Sequence, residues 1–166
     1  MKHRVREAIF NLVGPSIKGK HAVDLFAGTG AIGLEALSRG AASATFVERH
    51  IPTGRLITEN IVTLGVDDRC QVATVDALLW PKRDAPPAKP PWAVFISPPY
   101  DLYVSRLEAM LALVARVVEL APSESIIVVE ADDRFDFDKL PLADSWDVRT
   151  YRPAVVGILR ITPGHD

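Results

Sequence analysis

The sequence lacks several features that mark particular classes of protein. Cys70 is its one cysteine among 166 residues, which excludes an internal disulfide and favours a reducing compartment. No apolar run is long enough to cross a bilayer, and the residues after Met1 do not form the apolar core of a signal peptide. The four histidines are scattered without the spacing of metal ligands, so no metal is expected. Together these absences predict a soluble cytoplasmic protein, with a monomer as the default expectation.

An excess of positive charge is also missing. The chain has 19 Lys and Arg against 21 Asp and Glu, for a formal net charge of −2. A charge of this size creates no strong global field to attract a polyanion. Nucleic acid as a partner would therefore depend on a local basic patch.

The sequence does contain alternating helical and strand patterns, and its length fits one domain. Within that domain, an N-terminal helix is predicted over residues 1–14 and a sheet with helices over residues 20–166. Its hydrophobic content of 48% suffices for an ordinary core. The predicted helices lie at Val5–Val13, Ala31–Arg39, Leu56–Leu64 and Leu107–Val118. The predicted strands lie at Ala22–Phe26, Ala44–Glu48, Gln71–Val75, Ala93–Ile96, Ile126–Val129, Trp146–Tyr151 and Val155–Ile161. The proline-rich segment Pro81–Pro91 is predicted to be a surface loop.

This order of elements predicts an α/β fold of the Rossmann-like kind. Strands that alternate with helices form parallel βαβ units, so the seven-stranded sheet should be mostly parallel. The last two strands have no helix between them and should form an antiparallel hairpin at one edge. Ligands in such folds bind beyond the carboxyl ends of the strands, at the switch point.

A glycine-rich loop follows the first predicted strand. Gly28, Gly30 and Gly33 satisfy the dinucleotide-binding spacing, which taken alone indicates a nicotinamide cofactor. Asp24 argues against that interpretation, because a carboxylate inside the strand would repel a pyrophosphate. It suits a ligand that carries positive charge, such as the ammonium group of a methionine moiety. The alternative is that Asp24 is a solvated or capping acid.

Two further acids end the second and third predicted strands. Glu48 lies about 20 residues beyond Gly28, where its carboxylate could accept both hydroxyls of a ribose, or could pair with Arg49 or another base. Asp76 could accept from an adenine amino group, and it could also cap a short helix that starts at Ala77.

The tetrapeptide Ser97-Pro98-Pro99-Tyr100 follows the fourth predicted strand. Two prolines remove two N–H donors, so the segment offers acceptors together with one hydroxyl and one aromatic ring. An aromatic amine needs acceptors on its N–H groups to become nucleophilic, and Tyr100 could stack on a base. A rigid surface loop is the alternative.

At this point the sequence resembles the family of bacterial 16S rRNA guanine-N2 methyltransferases. The similarity lies in Asp24–Ala41 (DLFAGTGAIGLEALSRGA), in Arg4–Asn11 (RVREAIFN) and in the proline tetrapeptide, where the family has Asp-Pro-Pro-Tyr. The resemblance implies that S-adenosylmethionine is the cofactor and that the target guanine lies against Ser97, Pro98, Pro99 and Tyr100. It implies that the cofactor is held by Asp24, Phe26, Gly28, Gly30, Glu48 and Asp76.

The sequence departs from that family in two places. Ser97, a neutral acceptor, stands where the family has aspartate, and the basic segment that usually precedes the Arg4 helix is not present here. The proline tetrapeptide is shared with adenine-N6 and protein-glutamine methyltransferases, and a module that binds cofactor or RNA without turnover is a further alternative.

The basic groups of the sequence are local. They are Lys2, His3, Arg4 and Arg6 near the first helix and Arg149 and Arg152 in the tail. If the fold brings them near Tyr100, Arg4 and Arg6 could guide ribosomal RNA displayed in a small ribosomal subunit; otherwise they are solvated surface groups.

Overall fold

A computed structural model describes residues 3–81 and 85–163 of the chain. Its sheet has seven strands in the order β3-β2-β1-β4-β5-β7-β6. They are β1 (His21–Leu25), β2 (Ser43–Val47), β3 (Cys70–Ala73), β4 (Trp92–Ile96), β5 (Ile126–Ala131), β6 (Asp147–Tyr151) and β7 (Ala154–Arg160). The first five strands pair in parallel, while β7 runs antiparallel to both β5 and β6. The prediction of a mostly parallel sheet with an antiparallel edge hairpin is confirmed.

Helices connect these strands and cover both faces of the sheet. The α-helices are α1 (His3–Val13), α2 (Ala31–Ser38), α3 (Ile51–Thr63), α4 (Leu102–Ser105) and α5 (Leu107–Leu120). Short 3-10 turns lie at Gly14–Ile17, Asp67–Arg69, Ala77–Leu79, Phe137–Lys139 and Ala143–Ser145. Because β1 has β2 on one side and β4 on the other, the strand order reverses between β1 and β4, and a ligand crevice is expected there.

Several boundaries differ from those that the sequence predicts. Helix α3 begins at Ile51, five residues before the predicted start, because Pro52 lies in its first turn, where proline costs no hydrogen bond. Strand β1 ends at Leu25, since Phe26 takes a left-handed conformation that leaves the sheet. Of the predicted proline loop, residues 82–84 lie outside the described part of the chain.

The two faces of the sheet carry separate cores. One packs strand residues such as Val94 and Ile127 against α5, and the other packs Phe46 and Phe95 against α1, α2 and α3. Side chains alternate between faces along a strand, so every second residue of the strands belongs to the same core. This alternation decides which residues reach the site at the carboxyl ends.

The third glycine of the loop motif is required by packing, which gives a first prediction. A Cβ at Gly33 would lie 2.3 Å from Phe46 Cε1, an atom of a ring that is fully buried. We expect Gly33→Ala to lower the free energy of unfolding by roughly 1–3 kcal/mol through overpacking. Urea denaturation measures this effect.

Gly54 in α3 provides the matched control. A Cβ there would lie 3.5 Å from Thr74 Oγ1, an ordinary contact. Gly54→Ala should therefore leave stability unchanged or raise it by about 0.5–1 kcal/mol through helix propensity. Equal stability of the Gly33→Ala variant and the unmodified protein would contradict the packing explanation.

Candidate functional site

A cavity of about 780 Å³ opens at the carboxyl ends of β1, β2, β4 and β5. Its volume falls in the range of small-molecule and cofactor sites, roughly 300–1,000 Å³. The cavity brings together most of the residues that the sequence singles out: Phe26, Gly28, Glu48, Asp76, Ser97, Pro98, Pro99 and Tyr100. Asp24, Gly30, Arg4 and Arg6 are not among its lining residues.

The loop after β1 contains three residues in the left-handed conformation. Phe26, Gly28 and Gly30 have φ values of 58°, 57° and 87°. Such angles cost glycine little, but they are uncommon for an aromatic residue and persist only where the surroundings impose them. The strained Phe26 lines the cavity, as does Gly28, where the missing side chain leaves backbone open to a ligand.

Glu48 joins the loop after β1 to the loop after β2. Its Oε1 accepts from the backbone N–H of Gly28 at 2.9 Å, and its Oε2 accepts from that of His50 at 2.8 Å. The Glu48 carboxylate is therefore held by two backbone donors rather than by Arg49, the alternative that the sequence left open. Since each carboxylate oxygen has two lone pairs, Glu48 keeps capacity to accept from a ligand hydroxyl.

Asp24 has a partner that the sequence did not specify. It is 1% exposed, and its Oδ2 accepts from the backbone N–H of Gly33 at 3.0 Å, in the first turn of α2. Asp24 is thus a buried capping acid rather than a solvated one, and a role toward a ligand stays a prediction. Burial raises its pKa to about 7, and the charge of Glu48 adds to that effect, whereas the hydrogen bond from Gly33 opposes it.

The raised pKa predicts how stability depends on pH. Between its usual value of 3.8 and about 7, the folded protein holds a proton on Asp24 that the unfolded chain releases. The contribution of the Asp24 carboxyl to the free energy of unfolding is therefore at its maximum below pH 4, decreases as the pH rises to 7, and is constant above pH 7. We expect a loss of a few kcal/mol, since one pKa unit corresponds to about 1.4 kcal/mol.

Asp24→Asn isolates that contribution, because the amide accepts the same hydrogen bond without titrating. Thermal unfolding of both proteins at intervals from pH 4 to pH 8 gives the difference curve. A difference that does not change with pH would show that Asp24 is ionised throughout.

Asp76 caps a short helix, as one of its two predicted roles requires. Its Oδ1 accepts from the backbone N–H of Leu78 at 3.0 Å, in the 3-10 turn Ala77–Leu79. It also lines the cavity, so the capping geometry holds the carboxylate at the cavity wall. Contact with a ligand remains a prediction.

Ser97 carries a buried polar atom without a partner. Its hydroxyl is the one buried side-chain polar atom in residues 3–81 and 85–163 that has no hydrogen bond. A buried hydroxyl without a partner costs about 1–3 kcal/mol, so such an atom in a cavity wall fits a ligand group. The Pro99 carbonyl accepts from the Leu102 N–H at 3.0 Å, which uses one of its two lone pairs.

Tyr100 is fixed by a carboxylate that sequence reasoning missed. Its hydroxyl donates to Glu130 Oε2, and the buried Tyr103 hydroxyl donates to the Glu130 carbonyl at 2.8 Å. Burial, reinforced by Glu130, raises the pKa of Tyr100 well above its ordinary range, so the hydroxyl remains a donor. The half-buried ring is thereby held at the cavity wall.

Glu130 itself lines the cavity and is 2% exposed. A signal for it exists in the sequence: an acid stands inside the apolar strand Ile126–Ala131, just as Asp24 stands inside β1. Buried acids within strands are rare unless they have a partner or a function.

Three of the predicted basic residues, Arg4, Arg6 and Arg152, are next in sequence to residues that line the cavity. Arg4 donates to the carbonyl of Arg152 at 2.9 Å, which joins α1 to the turn between β6 and β7. Val5 and Pro153, their chain neighbours, line the cavity. Arg6 contacts His3, and Arg149 is paired with Asp147. Lys2 and His165 lie outside the described residues.

Arg49 and Arg106 are two cations that the sequence analysis did not assign to a ligand site. Both line the cavity, and among the described residues neither has an ion-pair partner. The mouth of the site therefore carries positive charge that the fold leaves available. In the same described part, no helix is long and apolar enough to span a membrane, and no group of three or more potential ligands could hold a metal.

Residues 1–152 match the family described as conserved hypothetical protein 95. The Bacillus subtilis protein named "Putative rRNA methyltransferase YlbH" is 34% identical over 129 residues, which are 78% of this chain and 68% of that protein. The Escherichia coli "Ribosomal RNA small subunit methyltransferase D" is 37% identical over 97 residues, 58% of this chain and 47% of that protein. The matched segments thus span about half to two thirds of these relatives.

Solved structures share the fold. An Escherichia coli protein described as "Putative methyltransferase yhhF" superimposes with a TM-score of 0.77 at 27% identity, covering 98% of this chain and 87% of that one. An RNA methyltransferase from Salinibacter ruber, solved with S-adenosyl-L-homocysteine, gives a TM-score of 0.71 at 15% identity, covering 98% and 94%. The second likeness concerns the fold alone, and both agree with the predicted Rossmann-like architecture.

Proposed function

The chain belongs to the conserved hypothetical protein 95 family, and on that premise we propose that it methylates the N2 amino group of a guanine in 16S ribosomal RNA. S-adenosylmethionine is the methyl donor, and the substrate is RNA within the small ribosomal subunit, in the cytoplasm. The names of the relatives support the coarser part of this function, ribosomal RNA methylation. The choice of guanine N2 follows from the resemblance stated above and from the acceptor groups of the cavity.

One half of the cavity suits the cofactor. Gly28 gives close backbone approach, and Glu48 and Asp76 offer acceptors for the ribose hydroxyls and the adenine amino group. Gly30 and Asp24 act indirectly, through the position of helix α2. Gly30 is its N-cap residue, and Asp24 accepts a hydrogen bond from the N–H of Gly33 in its first turn. Phe26, held in its left-handed conformation, adds an aromatic wall.

The observation that carries the proposal is the unpartnered Ser97 hydroxyl beside Tyr100. The lone pair of an aromatic amine is delocalised into the ring, and acceptors on its N–H groups return electron density to nitrogen. Ser97 Oγ supplies such an acceptor, while the fixed ring of Tyr100 supplies a stacking surface for a base that leaves its helix.

When bound, S-adenosylmethionine would supply an electrophilic methyl group. Its transfer to the amine nitrogen would leave the sulfur as a neutral thioether and the nitrogen with a proton to release to water. The chain contributes by holding the amine in line and by directing acceptors at it.

Ser97→Ala should lower the turnover number about tenfold, which corresponds to the net loss of one hydrogen bond of about 1.4 kcal/mol. Cofactor affinity should stay unchanged, since the partner lost is on the acceptor side of the cavity. Ser105→Ala removes an exposed hydroxyl from the neighbouring helix α4 and is the matched control. Equal turnover of both variants would remove the role of Ser97.

The proposed activity is tested by supplying small ribosomal subunits with S-adenosylmethionine that carries a labelled methyl group. Digestion of the RNA to nucleosides then identifies the product. We expect label in N2-methylguanosine. Label in N6-methyladenosine, or in ribosomal protein, would overturn the proposal.

A further inference from the structure

Glu130 is a buried carboxylate in the cavity wall, and the proposed methyl transfer gives it no role. Among the described residues, the Tyr100 hydroxyl is its one side-chain hydrogen-bond donor. A carboxylate can accept about four hydrogen bonds, so most of its capacity is unused. Its Oε1 accepts from no side chain of the described residues and is not enclosed, so it is open to the cavity, where a ligand can supply further donors.

The sheet register places Glu130 next to Ser97. Ile96 of β4 pairs with Val129 of β5, so the next residues on each strand, Ser97 and Glu130, share one row. Side chains alternate along strands, so Glu130 of β5 lies on the face that carries Val128 and Phe95, and Ser97 continues this alternation directly after the end of β4. Tyr100 is bonded to Glu130, so the stacking ring, the Ser97 hydroxyl and the Glu130 carboxylate surround one part of the cavity.

A carboxylate in this position distinguishes between purines. The Watson–Crick edge of guanine presents two adjacent donors, N1–H and the N2 amino group. Adenine presents an amino group beside a bare N1, whose lone pair repels a carboxylate. Enzymes that flip a base commonly read it through this edge.

We propose that Glu130 selects guanine by accepting hydrogen bonds from N1–H and from one N2–H, while Ser97 accepts from the other N2–H. Tyr100 orients the carboxylate through its hydroxyl and the base through its ring. This inference rests on the proposed function and adds to it the residue that sets the identity of the base.

The test varies the target base. Small subunits are reconstituted with 16S RNA that carries either guanosine or 2-aminopurine riboside at the mapped target. The analogue keeps the N2 amino group but has a bare N1. We expect the unmodified protein to methylate guanosine roughly 10- to 100-fold faster, the discrimination that one bidentate pair provides.

Glu130→Gln should reduce that ratio to within about threefold, because the amide can donate to a bare N1 while its oxygen still accepts from N2–H. Glu108→Gln, an exposed carboxylate on α5, is the control and should keep the original ratio. Thermal unfolding and S-adenosylhomocysteine binding report whether each variant is folded.

The outcomes separate the two proposals. Equal rates of N2 methylation on guanosine and on 2-aminopurine by the unmodified protein, or a folded Glu130→Gln variant with an unchanged ratio, would overturn the role of Glu130 alone. If the Glu130→Gln variant does not fold, the ratio of the methylation rates of the unmodified protein on the two bases decides the role of Glu130. Absence of N2-methylguanosine from the guanosine subunits would overturn the proposed function itself.

Discussion

Replacing Tyr100 with alanine should lower the rate of RNA methylation roughly 100-fold, because the stacking of one base on an aromatic side chain contributes about 1–3 kcal/mol. The change also removes the hydroxyl that donates to the buried Glu130. Affinity for S-adenosylmethionine should remain nearly constant, since the residues proposed to hold the cofactor are Gly28, Glu48 and Asp76. Single-turnover rates together with calorimetric titration measure the two effects separately.

Tyr100→Phe is the matched control for that experiment. It keeps the ring and removes only the hydrogen bond to Glu130, so most of the activity should remain. Full activity of Tyr100→Ala on the authentic subunit would contradict the stacking role. Equal losses in both variants would assign the effect to the hydroxyl instead.

The second large effect concerns the form of the RNA. We expect small subunits to be methylated at least tenfold faster than naked 16S RNA at matched salt. The net charge of −2 provides little general attraction to phosphates, which normally dominates non-specific binding. A particle that already displays an unstacked guanine would spare the enzyme a flipping cost of about a few kcal/mol.

The basis for this expectation is the start of helix α1, where Arg4 and Arg6 flank Val5, a residue that lines the cavity. Arg6→Glu should reduce methylation of subunits several-fold at low salt and less at high salt, because screening weakens the contact. Arg69→Glu is the control, since that exposed cation precedes β3 at the opposite edge of the sheet. Faster methylation of naked RNA, or equal rates for the two variants, would contradict this account.

Periodicity alone allowed the order of strands and helices to be predicted. The antiparallel hairpin followed from the absence of a helix between the last two strands, and the structure confirms it. Boundaries were less accurate where one residue overrides the pattern. The start of α3 was predicted at Leu56, although Pro52 already lies in its first turn, and no periodicity predicts the left-handed Phe26.

The site could be predicted in outline because strand ends meet at one edge. Glu48, Asp76 and the Ser97–Tyr100 segment line one cavity. The sequence did not predict the hydrogen-bond partners that these residues find in other elements of the fold. The hydrogen bond from Gly33 to Asp24 joins residues nine positions apart, and that from Tyr100 to Glu130 joins residues thirty apart. Such pairs depend on register and on loop conformation, which local patterns do not determine.

The most direct test of the central claim is a map of methylated bases in 16S RNA from cells with and without this protein. The account predicts that a single guanine loses its N2-methyl group when the protein is absent. Methylation should return with the unmodified protein and fail to return with Tyr100→Ala. An unchanged methylation map, or the loss of a methyl group from adenine, would contradict it.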